Sequence, residues 1–396
     1  MSWIFMAPRL RRFSIAANDS ITIPQYLTNR FLSKNKSLQI LSAIIFLVAY
    51  TIYAASSIKA CGTLFNTVMD IDPTVAMYIA AFIIVAYTFL GGFSAVCWTD
   101  FFQGMIMLAA LLIAPLFALA LAKAGDGAAT GAALPDGFFN FFTTPQDIIS
   151  GLGWGLGYFG MPHIIIRFMS LKSEKELRKS SVIGISWTTI ILIMSALTAI
   201  AGRLYLGEIE DSSTVFITMV RRIFPALVSG LLLSAILSAA MSTADSQLLA
   251  ASSAFASDVY KPVIRKKASD SEMLWAGRIV VIVIAVVALI IASDPNSGSI
   301  MGLVENAWGV FGAAFGPVIL LSLFWKRLTF GGTVAGIAVG AAVDILWLVF
   351  LSSTDIYEIV PGFAAGLLAA VVVSLLSKGP GKDVEDLFDR AVDLKS

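Results

Sequence analysis

The chain has 396 residues, of which 58% are hydrophobic and 13% charged, and 27 Lys and Arg offset 26 Asp and Glu to a net charge of +1. A soluble globular chain carries about 45–50% apolar and about 25% charged residues, so the composition excludes a water-soluble fold and leaves an integral membrane protein. The even charge gives no pull toward nucleic acid, the two cysteines Cys61 and Cys97 form neither a disulfide framework nor a metal site, and the single histidine, His163, argues against His-based metal or triad chemistry.

A membrane-crossing helix needs about 20 mostly apolar residues. The opening "MSWIFMAPRLRR" places a short apolar stretch before its charges, the reverse of a signal peptide, and is too short to span. Ten spans follow, near 38–62, 74–97, 100–122, 147–166, 182–205, 215–257, 275–293, 299–325, 331–352 and 357–377. The sixth is too long for one straight helix, and Pro225 separates a lead-in from its main part. The runs are continuously apolar rather than alternating, so they are helices and not barrel strands. All but Lys59, Lys123, Arg203, Arg221 and Arg222 of the 27 basic residues fall on the side that holds both ends, while Asp126, Asp136, Glu208, Glu210 and Asp355 are among the acids on the other. The positive-inside rule therefore predicts that both termini are cytoplasmic.

Polar side chains and broken backbone are costly in a bilayer, which marks them as functional candidates. Residues 151–163, "GLGWGLGYFGMPH", put five glycines and Pro162 inside the fourth span. Gly and Pro weaken a helix, and a break there frees main-chain groups for a ligand, with Trp154 and Tyr158 beside it. The competing reading is close helix packing through small residues. In the sixth span Ala239, Ser242, Thr243 and Ser246 share one face, and their hydroxyls and carbonyls suit a small alkali cation. The alternative is a hydroxyl satisfied by the carbonyl one turn back. Asp245 lies next to this stripe and needs a partner, a proton or a cation. Asp100 starts the third span, where it either suits the helix dipole or has a function. Lys59 is a snorkelling candidate, while Asp344 and Glu305 are expected to face water. Direct ATP drive is unsupported, since no phosphate-binding loop is present, and no hydrolase or metalloprotease pattern occurs.

In order along the chain, "YTFLGGFSAVCWTDFFQG", "GLGWGLGYFGMPHIIIRFM", "LLSAILSAAMSTADSQLLAASSA" and "ENAWGVFGAAFGPVIL" resemble the sodium/solute symporter family, closest to its sodium/proline branch. The resemblance runs from Trp3 to Lys378. It implies an all-α integral membrane protein with a LeuT-type inverted-repeat helical bundle, two five-helix repeats with sodium and solute held between broken helices. By motif, Ala239, Ser242 and Thr243 match the main sodium site, Asp245 and Ser246 a second sodium site of some members, and Asp100 a carboxylate of sodium coupling. Tyr53, Trp154, Tyr158 and Pro162 match solute-binding positions, with Met161 where the proline pattern has Gln.

The resemblance also implies an N-terminal truncation: the family's first three helices are absent apart from a remnant at Trp3–Met6. The expected division is a lead-in over 1–36, three helices of the first repeat over 37–122, an extracellular loop over 123–146, the second repeat over 147–325, two peripheral helices over 326–378 and a cytoplasmic tail over 379–396. The expected activity is symport of proline or a related small solute with sodium as coupling ion, in the cell membrane, with no enzyme activity, no nucleic acid and no obligate protein partner. A truncated, transport-inactive fragment is the alternative, and a membrane sensor a further one.

Overall fold

The computed structural model describes residues 2–125, 134, 136–140, 144–171 and 174–393, with the side chains of 92–95 and 174–175 left aside. Much of the expected loop over 123–146, with Asp126, and the expected basic residues Lys172 and Lys395 lie outside the described residues. The described chain is a bundle of α-helices: α1 (Ala7–Ala16), α2 (Ile23–Arg30), α3 (Ser37–Met69), α4 (Pro73–Ala124), α5 (Pro145–Gly157), α6 (Pro162–Met169), α7 (Glu174–Leu206), α8 (Val215–Ile223), α9 (Ala226–Ala254), α10 (Asp270–Ser293), α11 (Ile300–Phe324), α12 (Phe330–Phe350), α13 (Ile359–Leu376) and α14 (Lys382–Asp393).

Local chemistry sets many of the starts. The first amides of a helix lack internal acceptors and take a side-chain oxygen instead. Asp72 caps α4 by accepting from the amides of Thr74 and Val75, Ser299 caps α11 at Gly302, and Thr329 caps α12 at Gly332. Thr144 and Asp147 form a reciprocal capping box at α5, ahead of Pro145 at a position that needs no amide hydrogen.

Among the described residues nine helical stretches are long and apolar enough to cross a membrane. The remaining expected crossing, the fourth, is the broken pair α5–α6. Pro225 divides α8 from α9 as expected, and a π-helical stretch, Phe255–Ile264, prolongs α9. The expected second and third spans, 74–97 and 100–122, are two limbs, Pro73–Gly91 and Val96–Ala124, of the 52-residue α4, and Asp100 lies near the start of the second. Straight, α4 would be about 78 Å long. Yet Tyr87 on one limb and Asp100 on the other reach consecutive residues of α9, Asp245 and Ser246, so α4 turns back on itself between them.

The most apolar stretch of α11 is 83% buried, against 11% for α7. α11 is thus the axis of the bundle, and α7 lies at its rim. Apolar side chains such as Leu90, Phe82, Leu227 and Leu376 stand on outward surfaces that only lipid would cover without penalty. Since lipid is as apolar as leucine, association rests on close backbone approach. A methyl on Gly340 would lie 2.2 Å from the Ala313 carbonyl oxygen, and one on Gly366 would lie 3.0 Å from the carbonyls of Ala313 and Gly336. α11, α12 and α13 therefore pack backbone to backbone.

The expected lead-in and tail form a docked unit. Leu10, Phe13, Ile23 and Leu27 of α1 and α2 are fully buried. α14 lays Val384, Leu387, Phe388 and Ala391 on them, with Phe13 and Phe388 edge to face at 5.1 Å. Arg12 donates to the Val392 carbonyl at 3.0 Å and buried Arg30 to that of Val384 at 3.2 Å. Burial pushes the Tyr26 phenol up to about 12, and its hydroxyl shares a hydrogen bond with Ser322.

Candidate functional site

The fourth crossing is interrupted where the sequence places the break. α5 ends at Gly157, a turn follows over 158–160, and Met161 is extended (φ −69°, ψ 113°) before α6 begins at Pro162. Pro162 has no amide hydrogen to give to the preceding turn, and its ring pushes Met161 out of the helical region. The amides of Phe159, Gly160 and Met161 still find acceptors, Leu156 for the first and Gly157 for the other two. Among the described residues no main-chain amide reaches the carbonyls of Tyr158, Phe159 or Gly160. These three acceptors are the free main-chain groups of the break.

The two readings of the glycine run apply to different glycines. Gly160 meets the backbone of α11, where an added methyl would lie 2.3 Å from the Phe311 carbonyl oxygen and 2.9 Å from Cα of Gly312. Gly157 abuts the Trp308 indole and Gly153 abuts Val360 and Ile359, so these positions serve packing. A methyl added to Gly151 or Gly155 would have nothing within 4 Å, so these two need no close approach.

Aromatic rings gather at the same place. Trp154 lies 5.9 Å from Trp308 and 5.3 Å from Tyr357, and Tyr158 meets Trp308 edge-on at 5.1 Å. The Trp308 indole N–H donates to the Trp154 carbonyl at 3.1 Å. Tyr53 of α3 approaches His163 edge-on at 6.4 Å, which brings it to the far side of the turn. Tyr158 is exposed and Trp154 and Tyr53 are half-buried, whereas Met161 and Pro162 are buried, Met161 within the main core. Of the five expected solute residues, three present side-chain surface and two shape the backbone.

The six expected cation residues fall into two sets. Ala239, Ser242 and Thr243 are half-buried on α9, and the Ser242 hydroxyl donates to the Ala239 carbonyl at 3.3 Å, a long local bond. Asp245 is fully buried: one carboxylate oxygen accepts from the Tyr87 hydroxyl at 2.7 Å and the other has no partner among the described residues. Ser246 donates to Asp100 at 3.3 Å, and the Arg167 guanidinium lies 4.0 Å from the same oxygen. Arg167 is largely exposed, so that pairing is weak. Asp100, Asp245 and Ser246 thus form an oxygen cluster between α4 and α9, next to the hydroxyl stripe.

Tyr87, Arg167, Trp308 and Tyr357 do not stand out in the sequence. Trp308 lies in a family motif, but nothing in its spacing shows that it touches α5. The Lys59 ammonium donates to the Ser297 hydroxyl at 2.9 Å and to the Gly298 carbonyl, tying α3 to the loop before α11. Asp344 does not face water, being fully buried. The Nδ1 atom of His163 has no partner among the described residues.

A bundle of apolar helices with one crossing broken at a Gly/Pro turn, beside an oxygen-bearing partner helix, is the architecture of a LeuT-type secondary transporter. A Na+-coupled sialic acid symporter, solved substrate-bound and outward-open, shares this fold with a TM-score of 0.75 at 20% identity over 96% of this chain and 81% of its own. The chain belongs to the sodium:solute symporter family, whose signature matches residues 1–340. It is a multi-pass membrane protein of a transporter family, not an enzyme. The high-affinity proline transporter PutP of Bacillus subtilis is 43% identical over 402 residues, covering 100% of this chain and 85% of the relative. The sodium/proline symporter of Haemophilus influenzae is 43% identical over 409 residues (98% and 81%), and the osmoregulated proline transporter OpuE of B. subtilis 41% over 398 (98% and 80%).

Proposed function

We propose that the chain carries proline or a closely related small amino acid across the cell membrane, coupled to sodium moving down its gradient, by alternating access. The observation that carries this reading is the break at 158–161, with three free carbonyls and a surround of aromatic rings, in a chain whose relatives are proline transporters. The carbonyls of Tyr158, Phe159 and Gly160 accept from the substrate ammonium, and Tyr53, Trp154 and Tyr158 cover its apolar ring. Met161 and Pro162 hold the backbone open. Met161 replaces the glutamine of the proline pattern and bears on which solute fits.

Sodium is held by the Ala239 carbonyl and the Ser242 and Thr243 hydroxyls, and the Asp100, Asp245 and Ser246 cluster offers a second hard-oxygen site. Cation binding raises solute affinity, and by linkage the solute raises cation affinity equally. Both termini face the cytoplasm, as the basic residues gathered on their side support.

Uptake of labelled proline into proteoliposomes tests the reading. Replacing sodium with choline is expected to reduce uptake to background, and uptake that ignores the replacement refutes the coupling. A competition panel of amino acids then ranks the solutes. Labelling a Lys382→Cys chain with an impermeant maleimide is expected only in opened cells, and labelling in intact cells reverses the orientation.

A further inference from the structure

Away from the break, two carboxyl groups are buried together with no base to meet them. Asp344 of α12 is 0% exposed, and neither of its carboxylate oxygens has a partner among the described residues. Glu358, just before α13, is 7% exposed and its Oε1 is likewise unpartnered. Both point at Gly309 of α11. A methyl on Gly309 would lie 2.9 Å from Oδ1 of Asp344 and 3.4 Å from Oε1 of Glu358, so the two oxygens are no further apart than those distances combined. The missing side chain at Gly309 makes the space they share.

The surroundings offer no compensating charge. α5, α11, α12 and α13 contain no Lys, Arg or His at all. The only basic residue of α3, Lys59, is bound to Ser297 and Gly298. The titratable groups that act on the pair are Glu305 of α11, Tyr357 beside Glu358 and, through Tyr357, Tyr53 of α3, none of them a cation. The Tyr357 hydroxyl is already donated to the Glu305 main-chain oxygen at 2.8 Å. Among the described residues, no three acidic, cysteine or histidine side chains come together to hold a metal ion. An unpaired carboxylate in such a place costs several kcal/mol, and a second one close by cannot ionise as well. Protonating one carboxyl removes its charge and with it both penalties.

We propose that Asp344 and Glu358 are a proton-binding site, distinct from the solute and sodium sites, whose proton keeps the α12–α13 junction seated on α11. The site reaches the transport machinery through its neighbours: Tyr357 stacks on Trp154, and Gly309 follows Trp308, which holds the Trp154 carbonyl. Loss of the proton sets two carboxylates against each other at the base of that stack. The site is a property of the fold and does not depend on which solute the chain carries.

Infrared spectra of the full chain in lipid nanodiscs test this without any transport assay. At neutral pH the wild type is expected to show a protonated-carboxyl C=O band that shrinks in the Asp344→Asn/Glu358→Gln double variant, whose amides mimic the neutral acids. A proton held by the folded chain alone makes unfolding easier as the pH rises. Thermal stability of the wild type should therefore fall with rising pH more steeply than that of the double variant. Either single variant answers the same question if the double variant does not fold. A wild type with no such band, or a band and pH slope identical in wild type and variants, overturns the proposal. A band that appears only when sodium is withdrawn overturns it in favour of a cation site.

Discussion

Single alanine substitutions along the glycine run separate packing from helix breaking. At Gly160 the added methyl would sit 2.3 Å from the Phe311 carbonyl oxygen, 2.9 Å from Cα of Gly312 and 2.9 Å from the Gly316 amide nitrogen, all of them main-chain atoms of α11. Ordinary carbon contacts lie at about 3.5–4.0 Å, so α5–α6 and the bundle axis must separate by about 1 Å. Overpacking of this kind costs about 1–3 kcal/mol. At Gly157 the obstacle is the Trp308 side chain, which can rotate, but only by giving up its bond to the Trp154 carbonyl, a loss of about 1 kcal/mol before any repacking. At Gly155, inside α5 with open space around it, alanine gains about 0.5–1 kcal/mol from the helical backbone. Thermal unfolding of the purified variants, read by loss of the monodisperse peak after heating, should rank Gly155→Ala at or above wild type, Gly157→Ala below it and Gly160→Ala lowest. Gly160→Ala as stable as wild type, with Gly155→Ala the damaging one, would refute the packing derived for this segment.

Three further substitutions probe separate features. Ser242→Ala or Thr243→Ala removes one proposed oxygen ligand, worth about 1–1.5 kcal/mol, and should raise the sodium concentration for half-maximal uptake roughly tenfold; an unchanged sodium requirement removes that residue from the cation site. Tyr87→Phe takes away the 2.7 Å donor to fully buried Asp245 and should lower stability by about 1–3 kcal/mol, and an unaltered melting temperature would show that the bond carries no weight. Phe388→Ala removes a buried ring at a cost of about 3–5 kcal/mol, more than the exposed Lys326–Asp389 pair can offset, so amide exchange across Lys382–Asp393 should rise. Unchanged protection there would mean that α14 is held by other contacts.

Whatever depends on the period and punctuation of the chain is legible in the sequence. Pro162 after four closely spaced glycines and a fifth at Gly160 confines the break to residues 151–163, because proline acts on its own neighbours through covalent geometry. Pro225 divides α8 from α9 for the same reason. α14 is equally legible in principle, since Val384, Leu387, Phe388 and Ala391 follow the spacing of one helix face, but its charged residues hide that face from a search for apolar spans. The turn of α4 is legible too, since the apolar pattern already splits there into two spans beside Gly91 and Gly92. Two things are not legible. The partner of Asp245 is Tyr87, 158 residues away, and only the fold brings them together. Asp344 carries the same side chain whether it faces water or the bundle interior, so its burial shows only when α11, α12 and α13 are assembled.

The glycines of α11 link these features mechanically. Gly312 gives way to Cα of Gly157 on one side and to the Ile359 side chain on the other, Gly316 accepts the ring of Phe363, and Gly309 makes room for Asp344 and Glu358. The broken crossing and the α12–α13 pair are therefore both seated against the glycines of one axis, α11. Close-packed interiors transmit strain rather than damp it. A shift of α5 at the break by more than a few tenths of an ångström must either carry α11 with it or open a gap against Gly157 and Gly160, and in lipid a gap has no favourable filling. A displacement of α11 therefore bears on the break and on the α12–α13 pair together, so the second pair of helices is mechanically tied to the break.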